Sequence, residues 1–492
     1  MKRNFLIYNI LIISLFNTSF EYLVVPFKNL NSKNPQSYNF KEISGEEFLE
    51  FSTNKLVSSI SIGTPYKTLE LYLTMNYRLF FIGKGYCLKT AESFYEPSIS
   101  SSFNYKEEIY PNPFNDLRNM KIGKDKCTIY NDYNLKSNIT LENMQLYYGN
   151  IAEYEDNIFD KNKVCGIMGF KFHYPDSYYG NFKGLEYVLK NYSISNYSSW
   201  TIEFFKEKKN NYDGYIILGA LDNEYLKVRD INPDDIEYTY NGYNVGSLEW
   251  LINCQPIYFY YSKDNKTTMS FDFSNVAFNI DVKYYFMTKE YFDLIKGSFF
   301  NKYLTKGICK IYSIKEFYLK YKYILCDKAS FQEEKKNFPT LYITNIGLNY
   351  TFELTYEDLF LEINNDILFL MFYDPWNPKI FKFGKNFLMK YNFIFQLDPR
   401  NIGFMNYAKK EEKKEEQKEK ERRQEIIEQK KKMDIIWIII LSVLLAGIII
   451  GVFVGKKIWD KNRKKRANEL LDDDYEYKST DNGENKDEAI IN

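Results

Sequence analysis

The side chains that could do nucleophilic, acid–base or metal chemistry are unevenly supplied in this 492-residue chain. Histidine occurs once, at His173, which excludes zinc sites with two or more histidine ligands and most Ser-His or Cys-His machinery. The surrounding segment KFHYPD favours a loop histidine over a catalytic one. None of the six cysteines forms a C-x-x-C pair, so metal and thioredoxin-like sites are disfavoured.

Disulfides are the chemistry that the cysteines do favour, provided that the compartment is oxidising. Cys309 and Cys326 are the first candidates for a bridge because they lie close together in the second half of the chain. Cys87 with Cys127 is the next pairing. Connectivity does not follow from sequence alone, and buried free thiols are the alternative.

Two alternating strands occupy residues 57–82 and are joined at Gly63-Thr64-Pro65. A strand, an I-G-T-P turn, a strand and then an aromatic-rich strand resemble the opening of the pepsin-like aspartic peptidases. In that family the second strand continues into D-T-G-S, which carries the first catalytic carboxylate. Here the corresponding residues are Thr74-Met75-Asn76-Tyr77.

Other segments resemble motifs of the same family and follow one another in the family's order. They are Cys165–Phe170, Trp200–Phe205, Gly214–Gly219 with Asp222, Val276–Asp281, Phe338–Ile343 and, most specifically, Gly384–Phe404. The resemblance implies a mainly β, bilobal pepsin-like fold with two β-barrel-like lobes. On this interpretation residues 51–230 form the N-terminal lobe and residues 231–407 the C-terminal lobe.

Asp281 matches the carboxylate that the second lobe contributes in the family, and Thr74 replaces the carboxylate of the first lobe. Aspartic proteolysis requires two carboxylates close enough to share one proton and one water molecule. A threonine hydroxyl does not titrate near neutral pH and cannot take the place of the first acid. Asp281 is therefore predicted to be vestigial.

The loops around these two positions depart from the family in further ways. The hydroxyl residues that brace the loops are replaced by Met75 and Val282, and the loop glycines by Asn76 and Lys283. No Y-G-[ST]-G flap occurs between residues 100 and 150. Because these losses agree with one another, the sequence predicts a non-catalytic member of the family.

The N-terminus indicates export. Residues 1–20 have two basic residues, an apolar run and then small and polar residues, which is the layout of a signal peptide. An uncleaved anchor is the alternative, although the apolar run is short for a membrane span. Residues 21–50 are interpreted as a short pro- or linker segment whose removal the sequence does not settle.

A second apolar run lies near the C-terminus. Residues 435–455 contain no charge, and as a helix they would rise roughly 31 Å, about one hydrocarbon core. Residues 408–433 are predicted to form a charged stalk, either a solvated helix or a disordered linker. Basic residues follow the span, so residues 456–492 are predicted to be a cytoplasmic tail. The protein is expected in the secretory pathway as a single-pass type I membrane protein with a lumenal or extracellular body.

Charge composition and short motifs bear on partners and modifications. Lys+Arg and Asp+Glu both number 65, so no net charge attracts nucleic acid, and no cofactor is indicated. Glycine recurs every four residues in the apolar segment, at Gly447, Gly451 and Gly455. This spacing favours dimerisation through close helix packing, and the alternative is that glycine is simply common in membrane helices. Sequons for glycosylation occur at Asn138, Asn191, Asn196, Asn265 and Asn349.

Three functions follow from these observations. The first is a membrane-anchored, non-catalytic homologue that binds a peptide or a partner in the cleft between the lobes. The second is an active type I membrane aspartic endopeptidase, which would need another first-lobe acid, with Glu70 and Asp116 as the nearest candidates. The third is a surface or adhesion protein that uses the fold only as a scaffold.

Overall fold

The computed structural model describes most of the chain between Tyr22 and Glu476. The described residues are 22–31, 33–75, 80–84, 95–108, 117–151, 164, 166–170, 198–240, 250–254, 257–260, 269–271, 274–316, 319–375, 380–398, 400–405 and 407–476. The predicted signal peptide lies outside them. So do His173, Cys87, Cys165, Asn76, Asp116, Asn191, Asn196 and Asn265.

Strands dominate the body, as the alternating sequence predicts. They are β1 Leu23–Asn29, β2 Leu56–Ile62, β3 Lys67–Thr74, β4 Phe80–Lys84, β5 Asn104–Glu108, β6 Leu117–Tyr130, β7 Asn138–Ile151, β8 Gly166–Gly169, β9 Ser198–Lys209, β10 Tyr212–Leu218, β11 Ile236–Tyr240, β12 Trp250–Cys254, β13 Ile257–Tyr260, β14 Met269–Phe271, β15 Ser274–Phe278, β16 Tyr285–Met287, β17 Cys309–Glu316, β18 Leu319–Asp327, β19 Thr340–Asn345, β20 Tyr350–Leu354, β21 Phe360–Ile363, β22 Asp366–Phe369, β23 Met371–Tyr373, β24 Ile380–Phe383, β25 Phe393–Asp398 and β26 Arg400–Met405.

The helices of the body are short, and several of them are capped at the N-terminus by a side chain. Ser44 and Glu47 form a capping box at the first of them, and Thr288 caps the third. The helices are α1 Gly45–Ser52, α2 Asn223–Val228, α3 Lys289–Ile295, α4 Asn301–Thr305, α5 Lys328–Phe331, α6 Tyr356–Leu359, α7 Lys385–Lys390 and the long C-terminal α8 Tyr407–Glu476.

The described strands assemble into three sheets. The largest has the order β11-β26-β25-β9-β10-β1-β2-β3-β8-β4-β7-β6-β5, with β6 also pairing with β1 and β2. The second has the order β12-β15-β24-β16-β23-β18-β22-β21, with β17 paired to β18. The third has the order β14-β13-β19-β20. The prediction of a mainly β body is confirmed.

One strand arrangement occurs twice in the body. The order β2-β3-β8-β4-β7-β6 in the first sheet corresponds to β12-β15-β24-β16-β23-β18 in the second, and the corresponding strands follow each other in the same chain order. The directions of all five neighbouring pairs agree: antiparallel, parallel, antiparallel, parallel and antiparallel. We call these two sets of strands the first and second repeats.

Strands β9 and β25 pair with each other in the large sheet and bring aromatic residues of both chain halves together. The rings of Trp200 and Phe395 stack at 4.4 Å between centroids, and Trp250 packs edge-on against both. All three side chains are fully buried. Burial of such large apolar surfaces dominates the stability of a core.

The predicted bridge between Cys309 and Cys326 is confirmed. The two residues lie directly opposite each other in the antiparallel pair of β17 and β18 and form a disulfide. Cys127 and Cys254 are buried free thiols. Burial raises the pKa of both thiols, so neither is a reactive thiolate at neutral pH.

The chain divides into two compact units, Met1–Tyr407 and Ala408–Asn492. In the second unit, helix α8 runs without a break through both the charged segment and the apolar segment. The helical alternative for the stalk is therefore the one observed. Its apolar part is long enough to cross a membrane by length and composition, and it is the single such helix among the described residues.

Candidate functional site

The carboxylate of Asp281 is the centre of a hydrogen-bonded cluster. Its Oδ2 accepts a hydrogen bond from the hydroxyl of Thr74 at 2.7 Å and another from the N–H of Met75 at 3.0 Å. Its Oδ1 accepts a hydrogen bond from the hydroxyl of Tyr72 at 3.1 Å. Thr74 is fully buried and Asp281 is 6% exposed. The two residues singled out from the sequence are therefore in direct contact.

The ends of two corresponding strands bring these side chains together. Thr74 is the last residue of β3, which belongs to the first repeat. Asp281 lies three residues beyond the end of β15, in the second repeat. Within the loop that follows β15, the Oδ1 of Asn279 accepts a hydrogen bond from the N–H of Asp281 at 2.8 Å. This short-range bond fixes the loop that carries the carboxylate.

Asn54 holds the backbone of the same loop. Its side-chain amide donates to the carbonyl oxygens of Ile280 at 2.8 Å and Val282 at 2.9 Å, and its N–H donates to the carbonyl oxygen of Asp281 at 2.8 Å. The amide oxygen of Asn54 accepts a bond from Asn29 at 2.9 Å. Three consecutive carbonyls of the Asp281 loop are thus satisfied by a single residue.

A methionine and a glycine make further close contacts with the loop. The Sδ of Met75 accepts the N–H of Ile280 at 3.2 Å, although a thioether is a weak acceptor. On the other side, a Cβ at Gly384 would lie 2.1 Å from the carbonyl oxygen of Val282. The close approach of β24 to the loop therefore requires a residue without a side chain.

The strand register shows which strand ends correspond in the two repeats. Thr74 ends β3 and pairs with Gly169 of the parallel neighbour β8. In the second repeat the pairing of β15 with its parallel neighbour β24 ends at Phe278 and Phe383. Asp281 lies in the loop that follows β15, and its carboxylate accepts a hydrogen bond from the hydroxyl of Thr74 at the end of the corresponding strand.

Two partly buried lysines stand beside the Asp281 loop. The ammonium group of Lys283 donates to the carbonyl oxygen of Asn31 at 2.9 Å. Burial, together with the positive charge of Lys385, lowers the pKa of Lys283 to about 8. Burial also lowers the pKa of Lys385, at the start of α7. This side of the loop therefore carries two lysine ammonium groups, and burial disfavours the charged form of both.

Residues 30–54, which connect β1 to β2, cover part of the second sheet. Phe51 stacks on Tyr284, and Phe48 packs on Tyr323 and Phe372. Both phenylalanines are fully buried. Strand β1, which lies within the predicted pro- or linker segment 21–50, is a buried strand between β10 and β2.

Other predicted positions lie elsewhere. Glu70 lies on β3 opposite Ser59, four residues before Thr74. Asn138 at the start of β7 and Asn349 in the turn before β20 are exposed, as a glycan acceptor must be. The glycines at 447, 451 and 455 have open space around them on α8. Among the described residues, no group of three or more His, Cys, Asp or Glu side chains could hold a metal ion.

Sequence reasoning missed three residues of the cluster. Tyr72 is two residues before Thr74 on the same strand, so the alternation of β3 could have placed both on one face. Asn54 and Asn29 lie more than 200 residues from Asp281 in the sequence. No local pattern links them to that loop, because asparagine before a strand is a common turn residue.

No protein-family model matches this chain, and no curated protein is significantly similar to it.

Proposed function

We propose that this protein is a membrane-anchored homologue of the pepsin-like aspartic peptidases that does not hydrolyse peptide bonds. Two observations support the fold assignment: the ordered motifs of the sequence and the duplicated strand order with matching directions. Each repeat would belong to one lobe, and the Asp281 cluster would lie where the lobes meet. The apolar part of α8 would anchor the body to a bilayer.

The observation that carries the non-catalytic assignment is the bond from the Thr74 hydroxyl to the Asp281 carboxylate at 2.7 Å. An aspartic peptidase needs a second acid at this distance, so that one carboxylate can take a proton from water while the other donates one. A hydroxyl donates a hydrogen bond to the carboxylate but cannot act as that acid or base at neutral pH. The bond from the Met75 N–H occupies the same carboxylate oxygen.

The strand arrangement supports the same conclusion. Thr74 ends β3, and Asp281 lies in the loop after β15, the corresponding strand of the second repeat. A peptidase with one carboxylate from each repeat would require an acid at both strand ends, and at Thr74 the first repeat has a hydroxyl. We propose that the junction instead serves to bind a peptide or a protein partner.

Two alternatives make different predictions. An active type I membrane endopeptidase would require a second carboxylate near Asp281; Glu70 lies further back on β3, and Asp116 lies outside the described residues. A scaffold or adhesion protein would present loops and have no ligand at the junction. The three functions differ in whether the protein cleaves peptides, binds them without cleavage, or does neither.

A peptidase assay on the full-length protein in detergent micelles tests the proposal. Fluorogenic peptides are incubated from about pH 3 to pH 7, with and without a pepstatin-type inhibitor. We expect no inhibitor-sensitive cleavage by the wild type, and no difference between the wild type, Asp281→Ala and the control Asp293→Ala, which removes an exposed carboxylate of α3. Inhibitor-sensitive cleavage that is lost only in Asp281→Ala would establish the active peptidase.

A binding experiment separates the first function from the scaffold. A peptide library is captured on the immobilised full-length protein, and the retained peptides are identified by mass spectrometry. Specific retention that falls in Tyr72→Phe, which removes one hydroxyl from the Asp281 cluster, supports binding at the junction. Retention that is equal in both proteins, or absent from both, supports the scaffold.

A further inference from the structure

The C-terminal side of the apolar segment of α8 carries a dense group of basic residues. Seven Lys or Arg side chains and one acid, Asp460, lie within residues 456–466. All of these residues are helical and exposed. We call residues 456–466 the basic collar. At the other end of the apolar segment, residues 418–434 carry seven basic side chains and five acids, so their charges nearly cancel.

Two tryptophans mark where a bilayer would begin and end along α8. Trp437 and Trp459 are both exposed and lie 22 positions apart, which corresponds to about 33 Å of helix. Tryptophan is enriched at membrane interfaces, and a hydrocarbon core is about 30 Å thick. With Trp459 at one interface, the basic collar begins at the level of the lipid headgroups.

We propose that the basic collar binds anionic phospholipid headgroups of the bilayer that α8 crosses. Lys456, Lys457 and Lys461 lie within about 9 Å of Gly455 along the helix axis. The Debye length at physiological ionic strength is about 8 Å, so Lys456 and Lys457, within about 3 Å of Gly455, act on the lipid surface with little screening, and Lys461 lies about one Debye length away. The long aliphatic stems of lysine also allow the ammonium groups to reach back to the headgroups.

The acidic residues beyond the collar limit the contact to this part of the helix. Residues 469–476 contain five acids and no basic residue, and they would be repelled by an anionic surface. We therefore expect the basic collar to bind lipid next to the C-terminal end of the apolar segment. The residues after the collar are expected to point away from the bilayer. This inference rests on the proposed anchoring of α8 in a bilayer, and it does not depend on whether the body binds or cleaves peptides.

Lipid co-isolation from nanodiscs tests the inference with the full-length protein. The protein is reconstituted in phosphatidylcholine nanodiscs with about one-fifth phosphatidylserine, and the lipids that it retains are counted by native mass spectrometry. The collar variant replaces Lys456, Lys457 and Lys461 by Gln. The matched control replaces Lys430, Lys431 and Lys432 by Gln, which removes the same charge on the other side of the apolar segment.

Each cation near the surface is worth about a fivefold change in affinity for anionic lipid, so the three substitutions together correspond to about a hundredfold at most. We expect the wild type and the control to enrich phosphatidylserine, the collar variant to lose that enrichment, and salt at about 1 M to abolish it in the wild type. Equal retention by the wild type and the collar variant would overturn the inference. An equal loss in the control variant, enrichment that survives high salt, or failure of the chain to insert would overturn it as well.

Discussion

Replacement of Thr74 by valine removes the hydroxyl that donates to Asp281 and keeps the shape of the side chain. Thr74 and Asp281 are both buried, and the hydrogen bond from the Thr74 hydroxyl to the Asp281 carboxylate is 2.7 Å long. Hydrogen bonds to charged groups contribute about 1.5–3 kcal/mol, because the partner is left without a donor when the bond is removed. The Met75 N–H still donates to the same oxygen. We therefore expect Thr74→Val to lower the free energy of unfolding by about 2 kcal/mol.

Urea unfolding of the full-length protein in detergent measures this loss, with the fluorescence of the buried Trp200 and Trp250 as the signal. Thr344→Val is the matched control, since the Thr344 hydroxyl contacts Thr351 on an exposed face of β19 and is expected to contribute less than about 0.5 kcal/mol. In an Asp281→Leu background the cost of Thr74→Val should shrink, because the acceptor has gone. A loss no greater than that of the control, or an undiminished loss in the Leu background, would refute the assigned contact.

Three further predictions concern the surroundings of the site. Phe51→Ala should lower the free energy of unfolding by about 3–5 kcal/mol, because a fully buried ring against Tyr284 is lost, whereas Ile99→Ala at an exposed position should change it little; urea midpoints show both. Replacing Cys309 and Cys326 together by Ala should cost about 3 kcal/mol for a loop with a separation of 17 residues, and reducing agent should then have no further effect on the midpoint. Lys283→Met should raise the free energy of unfolding at pH 7 by at most about 3 kcal/mol, because the pKa of Lys283 is lowered from 10.5 to about 8 and its charged form is disfavoured in the fold. Between these two pKa values the unfolded chain binds more protons than the folded one, so the stability of the wild type rises with pH from about 8 to 10.5. The stability advantage of Lys283→Met should therefore fade over the same pH range. An advantage that does not change with pH would contradict burial of the charged lysine as its cause.

Much of the local structure follows from the sequence. The alternation of residues 57–82 gives β2, the turn at Gly63 and β3. Gly63 has a φ of +84°, which glycine tolerates and other residues rarely adopt. The apolar segment near the C-terminus has no charge and no proline, and it is helical as predicted.

Long-range geometry is what the sequence does not reveal. The contact between Thr74 and Asp281 was found because an ordered set of motifs aligned two distant segments. The correspondence between the strand that Thr74 ends and the strand that precedes Asp281 required the observed pairing of β3 with β8 and of β15 with β24. Parallel pairing joins segments that are far apart in the chain, and its register depends on packing that no local pattern encodes.

The N-terminal segment illustrates the same limit in another way. From the sequence, residues 21–50 are predicted to be a short pro- or linker segment. In the fold they supply β1 and most of α1, and Phe48 fills a space lined by Tyr323 and Phe372. An isolated aromatic residue in a short helix does not reveal its partner, because the partner lies in a different sheet and is distant in the chain.

An unbiased cleavage measurement tests most directly the claim that a hydroxyl stands where catalysis requires an acid. A complex peptide library is incubated with the full-length wild type and with Asp281→Ala at acidic and neutral pH, and new peptide termini are identified by mass spectrometry. We expect identical sets of termini for the two proteins, at the level of a sample to which neither protein was added. A set of termini produced by the wild type and absent with Asp281→Ala would contradict it.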